Sequence, residues 1–336
     1  MRVLLISDGR PGHYRQSEGV VASLSRRGPI VVDRLEIGLR LPLPKALVPK
    51  LGRLLPPGWF LPAVHGVDPG RMEKPDIIVS AGGATLAANV GLARIWNVPN
   101  VFSGSTRGFA LDRFRLVLTP YASVAEPPKV VAGPKPTPFD PDRVPLPRPI
   151  QSAADMRGAR VSILIGGPTW YAAFEPDDWR RLASLAEALV EKLGCRLTIV
   201  TSPRTPSAAY DHVLPLAGKL AGAVSLIDFR TAGPGSIERS FDCDLVLVTS
   251  DSMSMMTEAA LSRRPAVALV PDKVKPARDD EAVAGLVAER WLATLPLASA
   301  DADGLASLAA SLEPLDGNHL DRLAAVVCAA TGLDAS

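Results

Sequence analysis

The sequence predicts an α/β protein built as two Rossmann-like domains facing a cleft. Three observations lead there. Short apolar runs alternate with helical stretches along most of the chain, the pattern of parallel strands joined by crossover helices. Glycines follow the ends of several of these runs, as ligand crevices in doubly wound sheets require. A proline-dense stretch, GPKPTPFDPDRVPLPRP over residues 133–149, divides the chain, and the alternation starts afresh after it. The expected division is an N-terminal domain over 1–132, a connector over 133–150 and a C-terminal domain over 151–336, with a last helix that crosses back.

Composition narrows the class. The chain has 336 residues, 47% of them hydrophobic, so two well-cored domains fit. A net charge of +2 gives no concentrated basic face for nucleic acid. Cys195, Cys243 and Cys328 lack metal-ligand spacing and stand in apolar contexts, which suits a reducing compartment. MRVLLIS meets Asp8 too soon to read as a signal peptide, and no apolar run approaches the ~20 residues of a spanning helix. The expectation is a cytoplasmic protein, soluble or peripheral at the inner face of the membrane.

The elements follow in order. Residues 3–6 form a buried strand that opens into SDGRPGHYRQSEG, with Gly9, Gly12 and His13, before a helix to about Arg26. A glycine turn between first strand and first helix lets a ligand approach the backbone. It is neither a GxGxxG fingerprint nor a Walker loop, so no cofactor is expected. His13 reads either as a structural residue or as a general base, since imidazole titrates near neutrality. Residues 30–35 form a second strand. The following stretch to residue 66 is too rich in proline for one long helix. Its Arg40, Lys45, Lys50 and Arg53 alternate with leucines and lead to Trp59 and Phe60. Such a segment docks on an anionic membrane or packs as a lid on its own domain. Strands at 76–80, 99–102, 115–119 and 129–131 complete the first domain, with Gly82 and Gly83 opening a helix over 85–96.

The second domain opens with a strand at 161–165 and the turn Gly166, Gly167, Pro168, Thr169. An amphipathic helix over 177–192 carries Trp179, Leu182, Leu185 and Leu189 at helical spacing. Strands at 196–200 and 224–227 follow, the first ending in Thr201, Ser202 and Arg204. A helix is expected over 282–289, and the tail to about Ala330 reads as helices.

The most informative stretch is FDCDLVLVTSDSMSMMTEAALSRRPAVALVP, residues 241–271, a strand–helix–strand unit. Thr249, Ser250, Asp251 and Ser252 offer side-chain acceptors to cap the helix. Ser254 and Glu258 continue down one helix face from Asp251. Hydroxyls at a helix start followed by an acid suit an anion joined to a polyol, as in a nucleotide diphosphate. The plain alternative is a capped helix with Glu258 as a solvated charge. Asp251 itself would repel a phosphate. Two lookalikes are set aside. Asp242-Cys243-Asp244 resembles a metal-binding DxD but precedes its strand. Ser250, Ser252 and His13 lack the Gly-x-Ser-x-Gly elbow of a hydrolase.

These motifs carry a resemblance over most of the chain. SDGRPGH, VSAGGATLAANVGLARIWNVPNV, SILIGGPTW and the 245–271 stretch are similar to segments of the lipid-linked N-acetylglucosaminyltransferases of murein synthesis, which are GT-B enzymes. SDGRPGHYRQSEG, SAGGAT, LIGGPT, TSPRTP and SDSMSMMTEA more closely resemble the family named for mitochondrial fission in plants, which has many bacterial members. Asp251 and Arg10-Pro11 depart from the murein pattern. The resemblance implies a metal-independent GT-B glycosyltransferase using a nucleotide-diphosphate sugar, with a lipid or glycan acceptor. It implies Glu258 at the ribose, Gly166, Gly167, Ser252 and Ser254 at the diphosphate, and Ser250 among the substrate-binding residues. Thr201 and Arg204 then line the nucleotide pocket, Gly9, Gly12, Gly82 and Gly83 line the opposite wall, and His13 is the base. An epimerase or hydrolase of the same fold, or a scaffold recruiting a membrane-remodelling partner, are the alternatives.

Overall fold

A computed structural model describes residues 1–40, 43–44, 47–232 and 236–333. The chain divides into two compact units. One is Met1–Pro138 with His319–Ser336, and the other is Phe139–Asn318.

The first unit is a six-stranded parallel sheet. Its strands are β1 (Arg2–Ser7), β2 (Val31–Glu36), β3 (Ile77–Ala81), β4 (Asn100–Ser103), β5 (Leu116–Thr119) and β6 (Val130–Ala132), in the order β2-β1-β3-β4-β5-β6. The two-residue period of a strand sorts its side chains onto two buried faces. Val3, Ile77, Val79, Val101 and Leu116 lie with Val20 and Leu24 of helix Pro11–Ser25 and Val327 of helix His319–Thr331. Leu4, Ile6, Ile78, Phe102 and Val117 lie with Leu86 of helix Leu86–Trp96 and with Phe60 and Leu61. The chain's last helix is therefore core to the first unit. Arg26 also donates to Asp321 on it at 2.6 and 2.8 Å.

The second unit repeats the scheme. Its strands are β7 (Arg160–Leu164), β8 (Ala172–Ala173), β9 (Arg196–Val200), β10 (Val224–Ile227), β11 (Leu245–Thr249), β12 (Ala266–Val270), β13 (Lys273–Val274) and β14 (Ala293–Pro296). Six of them form a parallel sheet ordered β10-β9-β7-β11-β12-β14, and β8 pairs with β13 as a small antiparallel ribbon. Val161, Ile163, Leu245, Leu247, Val267 and Leu269 face Trp179, Leu182 and Leu189 of helix Pro176–Glu191 and Leu305 of helix Ala302–Ala310.

Both sheets reverse their winding once. In the first, β2 lies on one side of β1 and β3 on the other; in the second, β9 and β11 flank β7 in the same way. The crevice at such a switch point lies outside the carboxyl ends of the two central strands. The loops after β1 and β3 are those with Gly9 and Gly82-Gly83. The loops after β7 and β11 are those with Gly166-Gly167 and Ser250 to Ser252.

Several local expectations are corrected. Pro11 starts the first helix at a position where a missing N–H costs nothing, so Gly12 and His13 belong to its first turn. Residues 293–296 were expected to be helical but form edge strand β14, because ATLP is too short to display a period. The expected helix over 282–289 spans Asp279–Ala288, led by three acids in its first turn. Ser252 is the N-cap of helix Met253–Ala260 but makes no side-chain capping bond. The basic segment holds helices Val48–Leu54 and Pro57–Phe60 and a wider turn Leu61–His65; Lys45 lies outside the described residues.

Candidate functional site

At the switch point of the first unit, His13 meets the loop after β3. Asp8, just past β1, accepts a hydrogen bond from Nδ1 of His13 at 2.9 Å. A carboxylate accepts only, so that contact places the proton of a neutral imidazole on Nδ1 and leaves Nε2 as a lone pair. The Asp8 side chain is nearly buried and that of His13 about a third exposed. Gly82 has a left-handed φ of 84° and packs under the His13 ring, where a Cβ would overlap it. Gly83 packs in the same way under the guanidinium of Arg107. Gly9 also has a left-handed φ, 73°, which turns the chain from β1 into the helix. Gly12 has open space around it and fills no such role. Asp8, Arg10, His13, Gly38, His65 and Arg107 line a cavity of about 500 Å³ together with an apolar wall from Ile37, Leu39 and Val48.

At the switch point of the second unit, the Gly166-Gly167 turn is built into its neighbours. The Gly166 N–H donates to Thr249 Oγ1 at 2.8 Å, and Thr249 donates to Asp251 Oδ1 at 2.7 Å. A Cβ on Gly166 would overlap Asp251 and come within 2.9 Å of Ser252 Cβ; one on Gly167 would overlap the backbone of Arg204. Ser202 and Thr205 donate to the Gly166 carbonyl at 3.0 and 3.1 Å, and Arg204 to that of Gly167 at 3.1 Å. Asp251 is 1% exposed, and among the described residues its Oδ2 and the buried Oγ of Ser250 lack partners. Burial pushes the Asp251 carboxyl up, against the Thr249 hydroxyl and the Arg204 guanidinium, which pull it down.

The predicted residues separate into groups. Gly9, His13, Gly82 and Gly83 come together in the first unit. Gly166, Gly167, Arg204, Ser250 and Ser252 come together in the second, beside the uncapped helix start. Ser254 is exposed on that helix while Glu258 is 4% exposed, so Glu258 is not a solvated charge. Thr201 is committed elsewhere: it donates to Asp228 at 3.0 Å and accepts from the Phe229 N–H and the Tyr210 hydroxyl at 2.9 and 3.2 Å. Asp242 and Asp244 pair with Arg160 at 2.5 and 3.1 Å. Sequence reasoning missed Asp8, Arg107 and His65. Asp8, five residues before His13 and just after a strand, carried a readable signal. Arg107 and His65 reach the cavity from distant loops and carried none.

Two doubly wound units, each with a glycine turn at its switch point, define a fold of the GT-B class. Solved structures bear this out. A protein of Listeria monocytogenes assigned as a UDP-N-acetylglucosamine 2-epimerase matches with a TM-score of 0.55 at 12% identity, over 98% of this chain and 95% of that one. The UDP-GlcNAc 2-epimerase of Methanocaldococcus jannaschii matches with a TM-score of 0.54 at 12% identity, over 98% and 100%. The chain belongs to the mitochondrial fission ELM1 family, whose model matches residues 11–330. None of the curated proteins matches the sequence. Among the described residues, no helix is long and apolar enough to cross a membrane.

Proposed function

We propose that this chain is a metal-independent, nucleotide-sugar-dependent glycosyltransferase of GT-B type, with a lipid or glycan acceptor. The observation that carries the reading is the Asp8–His13 pair at the first switch point. An imidazole held in one tautomer by a carboxylate, with Nε2 free to take a proton, is the arrangement of a general base. Transfer needs such a base for the acceptor hydroxyl as the sugar–phosphate bond breaks. The leaving diphosphate needs donors rather than a base. In this reading the first-turn N–H groups of helix Met253–Ala260 and the Ser250, Ser252 and Ser254 hydroxyls supply them, with Gly166 and Gly167 allowing close approach. Glu258 holds the ribose, Arg204 faces the nucleotide, and Thr201 shapes that wall. The DxD-like carboxylates are taken by Arg160, so the reading routes no step through a metal.

The test is a thermal-shift screen across nucleotide-diphosphate sugars, followed by an assay for released nucleotide and transferred or epimerised sugar. Specific binding raises apparent stability. A screen in which no nucleotide sugar shifts the melt removes the donor from the reading.

A further inference from the structure

The cavity of the first unit holds two features that the base role of His13 leaves unused. The first is Arg107. It carries a left-handed φ of 46°, an uncommon conformation for a side-chain-bearing residue. Its guanidinium lies against Gly83 in the space a Cβ would take. Among the described residues no carboxylate pairs with it. The strained backbone and the glycine opposite both serve to hold a cation at the cavity wall. The nearest acid in the cavity, Asp8, is engaged by His13 at 2.9 Å and lies 3.9 Å from Arg10.

The second is His65. Its Nδ1 contacts the Gly38 carbonyl at 2.9 Å. A carbonyl only accepts, so Nδ1 carries the proton and Nε2 of the neutral ring is a bare acceptor. Among the described residues that Nε2 is buried without a partner. The Phe60 ring packs against the imidazole at 5.4 Å and 77°. Burial pushes the His65 pKa down, which keeps the ring neutral. An unsatisfied buried acceptor costs free energy that a ligand hydroxyl recovers.

We propose that this cavity takes a sugar bearing a phosphate or carboxylate, with Arg107 binding the anion and the His65 ring turning to bring its buried Nε2 to a ring hydroxyl. This deepens the acceptor side of the proposed function, because it places an anionic, hydroxylated acceptor beside the His13 base. The same chemistry reaches the cavity as a free sugar phosphate or as a lipid headgroup.

Binding is measured on the full chain without nucleotide sugar, which separates this inference from the donor reading. The probes are hexose 6-phosphates and glucuronate, their uncharged parent sugars, inorganic phosphate, and phosphatidylcholine vesicles doped with phosphatidylinositol phosphate. A charged sugar, free or on the vesicle, is expected to bind at least about tenfold more tightly than its uncharged parent or than phosphate alone. Arg107→Ala is expected to erase the preference over the parent sugar. His65→Asn, whose Nδ2 retains a donor to Gly38, is expected to keep the preference for charge and weaken the preference over inorganic phosphate. Equal binding of charged and uncharged sugars, no binding by any probe, or an Arg107→Ala protein that melts normally and keeps the preference would each overturn the proposal. Sugar-phosphate binding in a protein that binds no nucleotide sugar would remove the donor reading alone.

Discussion

His13 and Asp8 form a unit whose parts are separable by mutation. Asp8→Asn keeps the shape but allows the other imidazole tautomer, so turnover is expected to fall with donor affinity unchanged. His13→Ala is expected to lower turnover by ~10²–10⁴-fold in the same assay, again with donor affinity nearly constant. A parallel loss of donor binding would make His13 a binding residue. Asp251 offers a stability readout. Its native pKa lies above the ordinary 3.8, so the native state holds this proton more tightly than the unfolded chain does. That contribution is complete below pH 3.8 and fades as pH rises through the native value. Asp251→Asn cannot lose the proton, and its melting temperature is expected to fall less than the parent's over that rise. Glu258→Gln is expected to weaken nucleotide-sugar binding by at least about tenfold, since a charged hydrogen bond contributes roughly 1.5–3 kcal/mol. Unchanged affinity in a calorimetric titration would leave Glu258 with a purely structural part.

At the scale of elements, the segment from Val48 to His65 combines two tasks. Its inner side supplies Phe60, Leu61 and Val64 to the core. Its outer side exposes Leu54 at 80% and Trp59 at 78%, beside Lys50 and Arg53. A lid packed on its own domain has the same inner side, so the outer side is where the two readings part. Weak, salt-sensitive flotation with anionic vesicles is expected, each basic residue near the surface contributing about 1 kcal/mol. Trp59→Ala with Leu54→Ser should reduce it without lowering the melting temperature. No flotation at low salt would assign the tip another purpose. The Gly166-Gly167 turn is the opposite kind of element, fixed from all sides. Gly167→Ala forces a Cβ into the Arg204 backbone, and a loss of about 1–3 kcal/mol in urea unfolding is expected.

For the whole molecule, the sequence made the strand–helix alternation legible because buried parallel strands are short apolar runs with glycine or serine at their ends. Residues 160–164, 245–249 and 266–270 announce themselves in that way. Strand order was not legible, yet it places the Gly9 and Gly82 loops side by side, and likewise the Gly166 and Ser250 loops. Arg107 and His65 were unreadable for the same reason: the topology brings them to the cavity, and nothing local marks them. Helix His319–Thr331 was legible in part: the tail reads as helices with a last one that crosses back, while its place in the core of the first unit follows from Val327 and the Arg26–Asp321 pair. Deleting residues 319–336 is expected to lower the stability of the first unit by at least about 2 kcal/mol, through exposure of Val3, Val20 and Leu24, while the second unit melts as before. Calorimetry that found both units unchanged would make the helix an accessory.

That returning helix also sets an order of events during synthesis. The ribosome makes most of the first unit, then all of Phe139–Asn318, and only then the segment that completes the first core. At the usual pace of elongation the delay is on the order of ten seconds or more. Through that interval the first-made half remains open on one face, and it closes only when the segment made last arrives. Of the two units, the one made first therefore cannot mature before the other. Released chains truncated after Asn318 should show this as a protease-sensitive Met1–Pro138 segment attached to a resistant Phe139–Asn318 unit.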